Sequence, residues 1–240
     1  MVGLIIFGLS ETGLSQQYPA QEVVILLHGI LDPAFVMKRI EWALKKEDYQ
    51  VINWSYPSRS RTIEEHANQL HALIIDMPPG QKIHFVGFSL GALVVRCYLK
   101  NHKLENVGRF VLIAPPNRGS ERLDHLYRYS WFRWIYGNKA AQQLLTKNQD
   151  SLAKYGVPPC QFGILVGGKG NLEGYNQLLP GDDDGSVSEA STKLEGAKSY
   201  KKLRHRHTFL LFSKQTSQEV VSFINTGKFL DEPHSVNIEK

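Results

Sequence analysis

The chain has 240 residues and a formal net charge of +5, with 42% hydrophobic and 21% charged residues. This length suits one sizeable α/β domain and is short for two, so we expect a single domain over residues 1–240. No stretch approaches the roughly 20 apolar residues of a membrane span. The positive charge is far below that of a typical nucleic-acid-binding domain, so we predict no nucleic-acid partner.

The cysteine content and the apolar N-terminal stretch bear on the compartment of the protein. Cys97 and Cys160 are too few for a disulfide framework, and we predict two buried thiols. Residues 2–9 are apolar but no Lys or Arg precedes them, so we interpret them as a strand rather than a secretory signal. We therefore expect a cytoplasmic protein, with secretion or a periplasmic location as the alternative.

Short apolar runs alternate with helical patterns along most of the chain. The runs predicted as strands are 23–27, 51–54, 83–86, 110–114 and 161–167. Between them, apolar side chains recur at helical spacing over 37–44, 63–74 and 92–99, and Thr62 with Glu65 forms a capping box. Strands that alternate with helices predict a mostly parallel sheet covered by helices on both faces, an α/β fold. His66 and His71 lie among polar neighbours, and we predict them at the surface.

The predicted strand 83–86 leads into a Gly-x-Ser-x-Gly motif formed by Gly87, Ser89 and Gly91. A serine hydroxyl is a weak nucleophile unless a sharp turn holds it exposed beside a base. Glycine allows the tight bend before the helix, and the helix N-terminus directs its free N–H groups toward the serine. The motif therefore predicts Ser89 as a nucleophile; the alternative is an ordinary glycine turn.

His28 and Gly29 follow the first buried strand and precede Ile30. A His-Gly at this position favours a loop whose backbone donors face the nucleophile of a neighbouring strand. The alternative is a turn glycine beside a packed histidine.

The segment 118–158 interrupts the alternating pattern and is the candidate cap insertion. It is rich in aromatic residues, with Trp131, Phe132 and Trp134 at its centre and three arginines interleaved. We predict a small helical cap in which these three side chains bind the substrate. A helix packed flat on the sheet is the equally weighted alternative.

Three consecutive acids, Asp182, Asp183 and Asp184, lie in a turn that ends at Gly185. The acids do not alternate and no bidentate Glu follows, so we predict no metal there. Adjacent carboxylates cannot all point inward, and Asp184 fits a tight turn best. Ser89, this acid and a late histidine, His205 or His207, follow one another in the order typical of α/β hydrolases.

A basic run over residues 198–206 precedes these histidines. Such a run is usually a solvated face, and the alternative is a transient contact with an anionic membrane surface. Further on, residues 216–219 read as a second capping box that opens a final helix ending at Gly227.

Taken together, the motifs resemble those of bacterial lipases and esterases of the α/β-hydrolase superfamily. The resemblance covers most of residues 22–228 and includes His28-Gly29, the Ser89 motif and Asp184-Gly185-Ser186-Val187, although Phe88 stands where histidine is frequent. It implies Ser89 as nucleophile, Asp184 as acid and His207 as base. It further implies that the N–H groups of Ile30 and Leu90 form the oxyanion hole.

The sequence thus predicts a serine hydrolase that cleaves carboxylic esters, with lipid or short acyl esters as substrates, through an acyl-serine intermediate. We expect no metal or organic cofactor, and the oligomeric state stays open. Acyl transfer or thioester hydrolysis by the same triad is the enzymatic alternative. A binding protein on a non-catalytic hydrolase fold is the alternative from another class.

Overall fold

The computed structural model describes residues 21–231, so the strand predicted over residues 2–9 lies outside the described part. A single sheet of six parallel strands, in the order β2-β1-β3-β4-β5-β6, forms its centre. The strands are β1 (Val23–Leu27), β2 (Gln50–Trp54), β3 (Ile83–Phe88), β4 (Val107–Ile113), β5 (Phe162–Gly167) and β6 (Ser199–Leu203). Every residue of β1, β3 and β5 is buried, as expected for apolar strands covered on both faces.

Helices cover both faces of the sheet and divide the core into two apolar clusters. The helices outside the β4–β5 connection are α1 (Lys38–Lys45), α2 (Ile63–Ile75), α3 (Leu90–Asn101), α8 (Glu189–Thr192), α9 (Phe209–Phe212) and α10 (Lys214–Thr226). Helices α2 and α3 bury one cluster, and α1, α9 and α10 bury the other. The predicted α/β architecture is confirmed. None of the helices within residues 21–231 is long and apolar enough to cross a membrane.

Four short helices lie between β4 and β5, within the segment predicted as the cap. They are α4 (Glu121–Leu126), α5 (Ser130–Tyr136), α6 (Ala140–Gln143) and α7 (Gln149–Ala153). Leu123, Phe132, Leu144 and Leu152 from this segment pack into the same cluster as α2 and α3. The segment is therefore both a cover beside the sheet and part of the core.

Arg96 of α3 fixes the far end of this segment. The residue is 2% exposed, and its guanidinium donates to Asn117 Oδ1 at 2.9 Å and to the carbonyls of Gly156 at 2.8 Å and Leu152 at 3.4 Å. Burial lowers the pKa of Arg96 to about 10, which still leaves the side chain charged at neutral pH. The helix that follows Ser89 is thus tied to the connection between α7 and β5.

The basic run is an edge strand, β6, rather than only a solvated face. Lys201 forms an ion pair with the buried Glu219 at 2.8 Å, and Lys202 contacts Asp182 at 2.8 Å and Glu189 at 3.0 Å. Side chains alternate between exposed and partly buried positions along this strand, as a sheet requires. The partners of the lysines lie on other elements, which is why the run by itself did not indicate a strand.

Three further predictions need correction. His66 is fully buried, because it lies beside the apolar stripe of α2 and its ring packs edge-on against Tyr56. Helix α10 begins earlier than predicted, with the Ser213 side chain accepting from the N–H of Thr216, although it ends at Gly227 as expected. Of the two free thiols, Cys97 is buried but Cys160 only partly so.

Candidate active site

Ser89 lies in the turn between β3 and α3 and adopts a strained backbone conformation, with φ 51° and ψ −117°. Its N–H donates to the carbonyl of Ile113 on β4 at 2.8 Å, which holds the turn against the sheet. A Cβ on Gly87 would lie 2.6 Å from the backbone of Ala92, and one on Gly91 would collide with the carbonyl of Leu27. Only glycine therefore fits on either side, and the turn holds Ser89 where strand and helix meet.

His207 and Asp184 are joined by a hydrogen bond of 2.6 Å between Nδ1 and Oδ2. The other carboxylate oxygen, Oδ1, accepts from the backbone N–H groups of Ser186 and Val187, each at 2.9 Å. The N–H of His207 also donates to the carbonyl of Asp184 at 2.8 Å. Because the carboxylate accepts at Oδ2, the proton of a neutral imidazole is assigned to Nδ1, which leaves Nε2 as an acceptor.

His205 takes no part in this arrangement. Within residues 21–231, the His205 ring makes no hydrogen bond, whereas its backbone N–H donates to the carbonyl of Leu203 at 2.8 Å. The chain leaves β6 after Leu203 and turns at His207 and Thr208, so the two histidines do not lie on one extended strand. Of the two candidate bases, the structure brings only His207 to Asp184.

All three consecutive aspartates are buried, contrary to the expectation that adjacent carboxylates cannot all point inward. The turn supplies separate partners: Asp182 accepts from Lys202 and from the N–H groups of Lys169 and Gly170, and Asp183 accepts from the N–H groups of Gly185 and Asn176. Burial acts to raise the pKa of Asp182, but the Lys202 and backbone hydrogen bonds outweigh it and lower that pKa. Burial raises the pKa of Asp183.

The loop after β1 carries Ile30 beside the Ser89 turn. Residue Leu27 at the end of β1 pairs with Gly87 on β3, so the two loops emerge side by side. Within the described part of the chain, the N–H groups of Ile30 and Leu90 have no hydrogen-bond acceptor, whereas the N–H of Leu31 donates to Ser58 Oγ at 3.0 Å. The two unused donors are therefore available to a ligand at Ser89.

His28 and Tyr56 support this loop from below. The Tyr56 hydroxyl donates to the carbonyl of His28 at 2.6 Å, and the two rings stack with centroids 4.3 Å apart. Burial lowers the pKa of His28, which favours the neutral ring. The histidine of the His-Gly pair thus packs under the loop, while its backbone is held by Tyr56.

A cavity of about 160 Å³ joins these groups. Its lining includes Ser89, His207 and Ile30, and the cap contributes Leu123, Phe132 and Tyr136. The Ser89 hydroxyl makes no hydrogen bond to any residue that the structure describes, and catalytic hydrogen bonds often tighten only when substrate binds. Ser89, His207 and the loop residue Ile30 therefore line one cavity.

The three aromatic residues predicted to bind substrate do not share one environment in the cap. Phe132 is 3% exposed and lines the cavity. Trp131 and Trp134 are 57% and 78% exposed and do not line it, because these two residues, three apart on α5, share the exposed face of that short helix. The structure thus places one of the three predicted side chains against the cavity.

Sequence reasoning missed two charged residues of the cavity wall, Asp32 and Arg122. Burial raises the pKa of Asp32, an effect that the nearby His207 partly opposes. Asp32 follows the His-Gly loop by three residues, a position that could have drawn attention to it. Within residues 21–231 no group of three or more His, Cys, Asp or Glu side chains is arranged to hold a metal ion.

Comparison with known proteins agrees with this architecture. The model of the α/β-hydrolase fold family matches residues 22–156, which is more than half of the chain. The chain therefore belongs to the α/β-hydrolase fold family. No curated protein matches the sequence.

Several solved structures share the fold at low sequence identity. The mature lipase BlEst2 of Bacillus licheniformis is 18% identical with a TM-score of 0.70, and the match covers 88% of this chain and 93% of that one. The metagenomic carboxyl esterase MGS0156 is 14% identical with a TM-score of 0.62, covering 79% and 65%. Phospholipase PlaB of Legionella pneumophila, in complex with thio-NAD, is 17% identical with a TM-score of 0.56, covering 72% and 44%.

Proposed function

We propose that this chain is a serine hydrolase that cleaves carboxylic esters through an acyl-Ser89 intermediate. The observation that carries the proposal is the shared cavity of Ser89 and His207, in which His207 is held by the buried carboxylate of Asp184. The structural neighbours include a lipase, a carboxyl esterase and a phospholipase, which supports the proposal.

In this mechanism, Ser89 Oγ attacks the ester carbonyl carbon while His207 Nε2 takes the hydroxyl proton. Asp184 keeps Nδ1 protonated and stabilises the imidazolium that forms. The N–H groups of Ile30 and Leu90 donate to the oxyanion of the tetrahedral intermediate. His207 then gives its proton to the alcohol oxygen as the carbon–oxygen bond breaks, and the acyl group stays on Ser89.

The second half of the reaction uses water in place of the serine hydroxyl. His207 removes a proton from the water as the oxygen attacks the acyl carbon, and the proton then returns to Ser89 Oγ as the acid leaves. The N–H groups of Ile30 and Leu90 donate to the oxyanion of this second tetrahedral intermediate as well, so one site serves both halves.

The cavity size favours short acyl groups. A dry cavity of about 150 Å³ in a protein core holds a benzene-sized molecule, and the present cavity is about 160 Å³. Leu123, Phe132 and Leu144 supply its apolar wall. Specificity should therefore rise over the first few carbons of the acyl chain and then level off.

Labelling with a fluorophosphonate tests the proposal directly. We expect one covalent adduct, located on Ser89 by peptide mass spectrometry and absent from Ser89→Ala. Ser186→Ala is the matched control, because Ser186 lines the same cavity but has no base beside it, and it should still be labelled. A folded wild-type protein that takes no label and cleaves no ester from C2 to C12 contradicts the proposal.

A further inference from the structure

A second cavity of about 290 Å³ adjoins the first on the far side of His207. The two cavities share Arg122, Ser186, His207 and Thr208, but Ser89 lines only the first. The second cavity is therefore an extension of the candidate active site that begins at the base and leads away from the nucleophile.

Two guanidinium groups line this second cavity. Arg122 is fixed by donating from Nη1 to Ser186 Oγ at 2.7 Å. Arg206 lies over the ring of Tyr175, 4.7 Å from its centroid. Among the residues that the structure describes, neither arginine has a carboxylate within ion-pair distance, so both have donors available to a ligand.

The carboxylates near this cavity already accept hydrogen bonds from groups of the protein. Asp184 is the acid of its lining, and its two oxygens accept from backbone N–H groups and from His207. Asp183 is fully buried and accepts from the N–H groups of Gly185 and Asn176. Asp32 lines the first cavity and not the second. With two guanidinium groups and one carboxylate, the lining of the second cavity carries a net positive charge.

The reaction determines which part of a substrate reaches this space. His207 donates its proton to the leaving alcohol, so the alcohol lies on the His207 side of the scissile bond. Because the second cavity opens from His207 and excludes Ser89, it faces the alcohol rather than the acyl group.

We propose that the second cavity binds an anionic group, a phosphate above all, carried by the alcohol part of the ester. The proposal rests on the ester hydrolysis proposed above. Guanidinium groups match phosphate oxygens with paired N–H donors, and the contact with the Tyr175 ring places the Arg206 guanidinium at this cavity. Substrates would then be short acyl esters of phosphorylated alcohols.

Two butyrate esters of matched length test this site: one of 3-hydroxypropyl phosphate and one of 3-methoxypropanol. We expect wild-type kcat/KM to favour the phosphorylated ester at least tenfold at low salt. Arg122→Gln and Arg206→Gln should each reduce that preference about tenfold. Arg204→Gln is the matched control, because Arg204 lies beside Gly170 rather than in the cavity, and its preference should equal that of wild type.

The outcomes separate the two proposals. If wild type cleaves both esters equally, or if neither Arg122→Gln nor Arg206→Gln alters the preference, the anionic site is overturned while ester hydrolysis stands. If wild type cleaves neither ester and takes no fluorophosphonate, ester hydrolysis fails and the anionic site with it.

The source of the anion is distinguished by charge and pH. A butyrate ester of 4-hydroxybutanoate carries a carboxylate in place of the phosphate. The second phosphate proton leaves near pH 6, so preference for the phosphorylated ester should rise between pH 5 and 7. If wild type prefers the carboxylate ester over the methoxy ester as strongly as it prefers the phosphorylated one, and neither preference changes between pH 5 and 7, the choice of phosphate is overturned.

Discussion

Asp182 and Asp184 are only two residues apart, yet one holds a lysine and the other a histidine from different parts of the chain. Asp182 Oδ2 lies 2.8 Å from Nζ of Lys202 on β6, whereas Asp184 Oδ2 lies 2.6 Å from Nδ1 of His207. The backbone N–H groups of the surrounding turns occupy the remaining carboxylate oxygens. The acidic turn therefore joins a structural ion pair to a candidate catalytic pair, and one kind of substitution distinguishes them.

Asp184→Asn should lower turnover about 10⁴-fold, because an amide cannot stabilise the imidazolium and permits the wrong tautomer of His207. The hydrogen bonds from Ser186 and Val187 can still be made to the amide oxygen, so the fold should persist. Steady-state kinetics with circular dichroism checks both points. Activity within tenfold of wild type would remove Asp184 from the mechanism.

Asp182→Asn should instead lower stability, by about 2 kcal/mol at neutral pH, through loss of charge-assisted hydrogen bonds. The lowered pKa of Asp182 means that its stabilising effect is present above the ordinary carboxyl pKa and is lost as pH falls through the folded-state value. Denaturant titrations at pH 7 and pH 3 should show the difference from wild type shrinking in acid. Constant difference across this range would contradict the assignment.

Asp32→Asn should have the opposite effect and raise the stability of the fold at neutral pH. Burial raises the pKa of Asp32, so the ionised side chain destabilises the fold above its folded-state pKa and carries no cost below the unfolded value near 4. The substitution should raise the melting temperature at pH 7.5 by about 3 °C, equivalent to ~1 kcal/mol in a chain of this length. The gain should vanish at pH 3.5, and a gain that grows in acid would refute the reasoning.

His207→Ala should abolish ester hydrolysis to the level of Ser89→Ala, because both remove the same proton-transfer unit. The double variant should be no worse than either single one. His205→Ala is the matched control and should retain activity, since the His205 ring does not contact Asp184. The reverse pattern would transfer the role of base to His205.

Phe132→Ala should change acyl-chain preference and stability together, since Phe132 both lines the cavity and packs in the core. Truncation of a buried Phe costs about 3–5 kcal/mol, and the enlarged cavity should shift the optimum toward longer acyl chains. Trp134→Ala, at 78% exposure, should change neither property. A chain-length profile with melting curves on both variants checks this, and an effect confined to Trp134→Ala would relocate the acyl site.

Strands and turns with local signals were predictable from sequence, and elements defined by distant partners were not. The buried runs of β1, β3 and β5 are mostly apolar, and the glycines on either side of Ser89 indicate its turn. By contrast, β6 was not predicted, because its sequence is a basic run. The acidic partners of Lys201 and Lys202 lie far away in sequence, on α10, the acidic turn and α8. The cap aromatics needed helix geometry to separate Phe132 from its exposed neighbours.

The burial of His66 was predictable from helical periodicity, but its polar sequence neighbours favoured a surface position. It lies three residues after Ile63 and four before Leu70, so helical periodicity places it next to the apolar stripe of α2. Polar neighbours in sequence suggested exposure, although sequence neighbours on a helix face different directions. Periodicity was the better guide, and Tyr56, the residue against which it packs, is set by the tertiary fold.

The Arg96 anchor determines where the cap can move. Its guanidinium donates to the carbonyls of Leu152 and Gly156, and moving that end of the cap away would leave a buried charge with Asn117 Oδ1 as its one remaining acceptor among the described residues. Displacement of α5 would uncover the buried Phe132 but no buried charge, and its two tryptophans are already exposed, so it should cost less. Opening of the cavity would therefore pivot about the α7 end, with the α5 end swinging. In hydrogen-exchange measurements, the amide hydrogens of α5 should exchange through low-energy local opening, whereas those beside Gly156 should exchange only through global unfolding.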